Sequence, residues 1–181
     1  KKWKRSNILD MGGSGDHSGL MESTILQLND GRIWQLIRTN WAYLYESFSK
    51  NDGKTWSDPV RTNIDASSSP PAILRLKSGR IVLVWNKFRI RKINLNQSEV
   101  PTSWQRDELS IMSSMDDGKT WTEPKIIAKM NKHSNFEHKH WTSSQLSYPH
   151  LFEPTPGVIW VTTEAGSLRA KITEDFFEKD N

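Results

Sequence analysis

Apolar and polar positions alternate in short runs along most of this chain, and turn residues interrupt the runs at recurring places. Three stretches share one layout: "STILQLNDGRIWQLIRT", "PPAILRLKSGRIVLVWN" and "PHLFEPTPGVIWVTT". Each is a run of period two, a Gly-containing turn at Gly31, Gly79 or Gly157, and a second run. Period two places alternate side chains on opposite faces of a strand, so each stretch predicts a β-hairpin.

A second hairpin follows the first two. "AYLYESFS" leads into "SKNDGKTWSDP", and "LSIMSS" leads into "SMDDGKTWTEP". Both copies read Ser-x-(Asn/Asp)-Asp-Gly-Lys-Thr-Trp, with a Pro at the same offset, Pro59 and Pro124. Asp-Gly favours a tight turn because Gly takes positive φ without steric cost. The Ser and the Asn or Asp can bond nearby backbone N–H groups and hold the turn shut. Thr and Trp then begin the next strand, with the indole available to pack over the turn.

The repeating unit is therefore strand, Gly turn, strand, link, strand, Asp-Gly-Lys-Thr-Trp turn, strand. Four antiparallel strands per repeat is the content of one β-propeller blade. Units are expected over about 23–62 and 70–128, with a third over about 147–175 that includes "GSLRAKI" as a strand. The fold class expected is all-β, a partial propeller forming one domain over 1–181. A sandwich of generic hairpins is the alternative, and the octapeptide duplicated at the same place in each unit argues against it.

Composition agrees. Only 35% of the 181 residues are hydrophobic, yet nine are Trp, which fits aromatic packing between short strands better than a helical bundle. No stretch approaches the ~18 apolar residues of a membrane span. There is no Cys, which excludes disulfides. The start, "KKWKRSNILD", lacks the apolar core of a signal peptide, as a mature secreted chain or a piece of a longer one would. The net charge of +4 is scattered through turns and strand ends. That argues against a nucleic-acid surface and suits an anionic small substrate.

The octapeptide resembles the Asp-box of sialidases, also called the bacterial neuraminidase repeat. In that family the motif lies on the outer rim of a six-bladed propeller and is structural. The likeness runs from "SGLMEST" to "SLRAKI" and matches the second half of the sialidase domain. It implies that the remaining blades come from a longer parent, a companion chain or self-association. A secreted or periplasmic location goes with it.

Four residues occupy positions that carry chemistry in the family. Glu22 stands immediately ahead of an apolar strand; its plain alternative is an exposed acid. Arg38 ends the next strand, sixteen residues on. It reads as a carboxylate clamp, because guanidinium matches carboxylate in a fork, or else as an Arg stacked on Trp41 or paired with a surface acid. Arg106 precedes the strand that leads into the second octapeptide; Arg89 and Arg91 are rivals on the long insertion. Tyr148, followed by Pro149, heads the third unit, where a plain aromatic packed at the propeller centre is the alternative. The resemblance implies Tyr148 as nucleophile and Glu22 as its base. It also implies an aspartic acid and a first clamp Arg, both of which this chain lacks. Asp16 and His17 lie in the Gly-rich segment before Glu22 and are not assigned as the acid.

No cofactor or metal is expected. His133, His138, His140 and His150 cluster in sequence, but without a metal-ligand spacing. The expected function is an exo-α-sialidase-like hydrolysis of a terminal acidic sugar with retention. The alternatives are a non-catalytic glycan- or protein-binding propeller, and a glycosidase or lyase acting on other uronic-acid glycans.

Overall fold

Among the described residues, eleven short strands fall into three antiparallel meanders. The structure is a computed structural model that describes residues 2–13, 18–88, 105–130 and 145–178. The first sheet is β1 (Ser23–Gln27), β2 (Ile33–Ile37), β3 (Tyr43–Ser49) and β4 (Val60–Asp65). The second is β5 (Ala72–Arg75), β6 (Ile81–Trp85), β7 (Glu108–Ser114) and β8 (Lys125–Lys129). The third is β9 (Ser147–Thr155), β10 (Val158–Ala165) and β11 (Arg169–Thr173), followed by one 3-10 turn at Glu174–Phe177. The first strands of the sheets adjoin, β1 against β5 and β5 against β9. This radial order of antiparallel blades is a partial β-propeller.

Packing follows from the strand patterns. Every residue of β6 and β7 is buried. Val82 and Val84 join one core, with Ile159 and Val161 of the third sheet. Leu83 and Trp85 join the other, with Trp34 and Leu36 of the first. β6, Ile-Val-Leu-Val-Trp, thus reads as a continuous apolar run because both of its faces are covered. The flanking sheets each keep an open face, where Ile25 and the cross-strand pair Phe152 and Trp160 are exposed.

The duplicated octapeptides close the β3–β4 and β7–β8 hairpins. Asp52 and Gly53 have φ of 57° and 78°, and Asp117 and Gly118 have 62° and 79°. Two successive positive φ values are the signature of a turn whose twist matches the flanking strands. Ser49 Oγ accepts from Gly53 N at 2.9 Å, and Asn51 Oδ1 from Thr55 N at 2.8 Å. Ser114 Oγ and Asp116 Oδ1 repeat both bonds to Gly118 N and Thr120 N at the same distances.

Candidate active site

The turns lie at one end of the sheets. Glu22, Arg38, Arg106 and the start of β9 lie at the other, and the structure brings these four side chains together.

Glu22 and Arg38 meet because they are cross-strand neighbours. The β1–β2 register pairs Ser23 with Ile37. One step further out, Arg38 N donates to Glu22 O at 3.2 Å, and Met21 N to Arg38 O at 2.9 Å. Both side chains therefore stand on one face, and Arg38 Nη1 lies 2.5 Å from Glu22 Oε2. Arg38 is only 2% exposed, whereas the Glu22 side chain is 49% exposed. A guanidinium so deeply buried needs partners. It has Glu22 and the hydroxyl of Ser68, which accepts from Nε at 3.2 Å and Nη2 at 3.1 Å.

Arg106 enters from the second sheet, one residue outside the bend that starts β7. Its Nη2 donates to Ser68 O at 2.6 Å and its Nη1 to Gln145 Oε1 at 3.2 Å. Its backbone carbonyl accepts from Leu146 N at 2.6 Å, which ties the second sheet to the lead-in of β9. Burial pulls the Arg106 guanidinium below its ordinary range, and the Arg38 charge adds to this, while Tyr148 and Glu22 oppose it.

Tyr148 comes from the third sheet with a left-handed backbone, φ 57°, directly before Pro149. A bulky residue rarely takes this conformation, and such strain concentrates at functional sites. It aims the ring across the gap between the first and third sheets. The hydroxyl donates to Glu22 Oε1 at 3.4 Å, across 126 positions of chain. The Arg106 guanidinium carbon lies 5.7 Å from the centre of the Tyr148 ring.

Chemically, the cluster is a phenol aimed at a carboxylate, flanked by two buried guanidinium groups. The carboxylate accepts from the phenol, and the two guanidinium groups present N–H donors of the kind that match an anion. Ser68 and Gln145 belong to it and escaped the sequence reading. The one available signal for Ser68 was "SSSPP", a small polar run stiffened by prolines between two repeats. Trp41, a candidate stacking partner of Arg38, instead meets Tyr45 edge-on, with ring centroids 5.4 Å apart. Arg89, Arg91, Asp16, His17, His133, His138 and His140 lie outside the described residues. His150 is exposed on β9. Among the described residues, no group of three or more His, Cys, Asp or Glu could hold a metal ion. No helix among them is long and apolar enough to cross a membrane.

A separate cleft of about 850 Å³ opens between the first and second sheets. Trp34, Glu46, Phe48 and Trp121 line it, and it contains none of the four clustered residues. Burial raises the Glu46 carboxyl above its ordinary range, opposed by the Trp34 indole N–H that donates to it at 2.9 Å.

Comparison with known proteins adds the following. The family model described as "BNR repeat-like domain" matches residues 1–161. No curated protein sequence matches the chain. Among solved structures, the intramolecular trans-sialidase from Ruminococcus gnavus, in complex with oseltamivir carboxylate, is similar with a TM-score of 0.58 at 16% identity. That match covers 88% of this chain and 34% of the other. NanB with Optactamide gives 0.57 at 16% identity, over 91% of this chain and 24% of that one. The xylan β-1,4-xylosidase from Bacillus halodurans C-125 gives 0.57 at 18% identity, over 90% and 29%. At these identities the likeness is one of fold. The chain spans between a quarter and about a third of these three proteins.

Proposed function

The chain belongs to the BNR repeat-like domain family, and from that premise we propose that it carries the nucleophile half of a retaining glycoside hydrolase site for a terminal acidic sugar. One observation carries this reading: the Tyr148 hydroxyl donates to Glu22, 126 positions away, beside two buried guanidinium groups.

In the proposed reaction the sugar carboxylate docks against Arg38 and Arg106, whose forked donors match it. Arg38 then exchanges part of its hold on Glu22 for the substrate. Glu22 takes the phenolic proton, and Tyr148 oxygen attacks the anomeric carbon as the bond to the leaving oxygen breaks. That oxygen takes its proton from water or from an acid outside this chain, or leaves as the anion when it is an aryl oxide. Water later attacks the anomeric carbon from the face the leaving group vacated, the Tyr148 oxygen departs and regains its proton from Glu22, and the two inversions give retention. A neutral phenol suits this carbon because the adjoining carboxylate repels an anionic nucleophile. Tyrosine nucleophiles are a recognised exception among glycosidases. A Tyr148–Glu22 distance of 3.4 Å is long for an O–H···O bond, and catalytic bonds commonly tighten only with substrate bound.

The open faces bearing Ile25, Phe152 and Trp160 are where further blades, a companion chain or a second copy would pack in the complete site. An extracellular or periplasmic location goes with an exposed glycan substrate.

The test uses the longest parent protein that contains this chain. It should release the aryl group from an aryl α-sialoside, and Tyr148→Phe should lower that rate by about 10² or more. An active parent whose Tyr148→Phe variant loses nothing would sink the role of Tyr148. Aryl β-xyloside and α-L-arabinofuranoside serve as neutral arms. Turnover of these in place of the sialoside would remove the acidic-sugar reading, which rests on the two guanidinium groups.

A further inference from the structure

Building on that reading of the site, we propose that Ser68 is the positioning residue that fixes the two guanidinium groups relative to each other. It touches both. Its hydroxyl oxygen accepts from Nε and Nη2 of Arg38, and its carbonyl accepts from Nη2 of Arg106 at 2.6 Å. Two like charges side by side repel, and their proximity already contributes to the depressed Arg106 value. Two acceptors on one residue, the hydroxyl for Arg38 and the carbonyl for Arg106, offset that repulsion and set their separation.

The backbone that presents Ser68 is pinned on both sides. Ser67 N donates to Asn86 O at 2.9 Å, and Ser67 Oγ to Lys87 O at 3.3 Å, which fasten the link to the end of β6. Ser69 N donates back to Ser67 O at 2.7 Å, closing a three-residue turn centred on Ser68. Pro70 and Pro71 follow with fixed φ, and Ser69 is restricted by the proline after it. Ser68 is 1% exposed. A buried acceptor on a stiff support is the arrangement that pre-organises donors for a planar anion before the anion arrives.

The experiment measures water exchange of the arginine Nε–H signals in the ¹⁵N-labelled full chain and in two alanine variants. Ser69→Ala is the control, because the buried Ser69 hydroxyl has no hydrogen-bond partner among the described residues. Ser68→Ala should raise Arg38 Nε–H exchange about tenfold or more. Ser69→Ala should leave it at the wild-type rate. Unchanged exchange in a folded Ser68→Ala chain overturns the proposal. Should that variant fail to fold, Ser68→Cys, nearly isosteric but a weak acceptor, carries the same expectation. A second arm titrates N-acetylneuraminic acid and its methyl ester. Ser68→Ala should weaken the acid about tenfold and leave the ester unchanged. Equal weakening of both would show a merely structural effect and overturn the positioning role. A wild-type parent protein that binds neither removes the acidic-sugar reading, while the exchange measurement still decides the role of Ser68.

Discussion

The two copies of the octapeptide turn have the same internal bonds and different surroundings. Within each, a Ser oxygen caps the Gly nitrogen and an Asn or Asp oxygen caps the Thr nitrogen, at matching distances. The second copy also docks on the first sheet. Asp117 pairs with Arg75 at 2.6 Å and accepts from Asn29 N at 3.0 Å. Gly118 lies so close to Trp34 that a Cβ there would stand 2.8 Å and 2.9 Å from two ring carbons. The first copy has no preceding sheet among the described residues. It is tied instead to the N-terminal segment, where Asn7 donates to Trp56 O at 3.1 Å and accepts from Trp56 N at 2.8 Å. A turn motif thus specifies its own shape locally, while its weight in the fold depends on what lies beside it.

Alanine at the two glycines would expose that difference most strongly. At Gly53 the penalty is conformational, about 1–2 kcal/mol, since the nearest atom to an added Cβ is 3.8 Å away. At Gly118 the same conformational penalty is joined by a clash with the Trp34 ring, for a total of about 2–4 kcal/mol. Urea unfolding of Gly53→Ala and Gly118→Ala measures both, and equal losses would mean that Trp34 moves aside freely.

The aspartates give a smaller contrast. Asp52→Ala and Asp117→Ala both place Ala at positive φ, so their difference isolates the contacts. Asp117→Ala should cost about 1–2 kcal/mol more, for the lost Arg75 pair and the unsatisfied Asn29 N–H. If Arg75→Ala in the same background still destabilises fully, the pair is not the source.

Acid sharpens the comparison with the smallest effect. The Thr120 hydroxyl and backbone N–H, with the Ser114 hydroxyl, hold the Asp116 carboxyl down at about 2, against an ordinary 3.8. Its folded value is depressed, so its stabilising contribution is complete above pH ~4 and is lost as pH falls toward 2. Asn51 occupies the same place in the first turn and does not titrate. Asp116→Asn should therefore lose less melting temperature than wild type between pH 5 and pH 2. Identical acid slopes would show that the Asp116 bonds carry no stability.

This contrast also explains what could be read in advance. The octapeptides were legible because their bonds span at most a few residues and need no neighbour. The Glu22–Arg38 pair was legible because a tight hairpin makes residues sixteen apart into cross-strand neighbours. Tyr148 could be placed at the head of its strand, and its pairing with Glu22 was implied by the family resemblance alone, because that contact exists only once three sheets are arranged about one axis. Ser68 was invisible for the same reason: its partners come from two different sheets, and nothing in a short polar link names them. Arg106 was singled out against two rivals without sight of the carbonyl that anchors it.

The hydrogen bonds of the turns also bear on how the molecule ages. Among aspartyl dipeptides, Asp-Gly is the most prone to rearrange to isoaspartate, because the glycine nitrogen attacks the neighbouring side-chain carboxyl with little steric hindrance. The chain has three such pairs, Asp30–Gly31, Asp52–Gly53 and Asp117–Gly118. In every one the glycine N–H is already engaged, Gly31 with Leu28 O at 3.0 Å, Gly53 with Ser49 Oγ and Gly118 with Ser114 Oγ. A bonded N–H is less free to attack the adjacent carboxyl carbon, so isoaspartate should form more slowly in the folded chain than in the unfolded one.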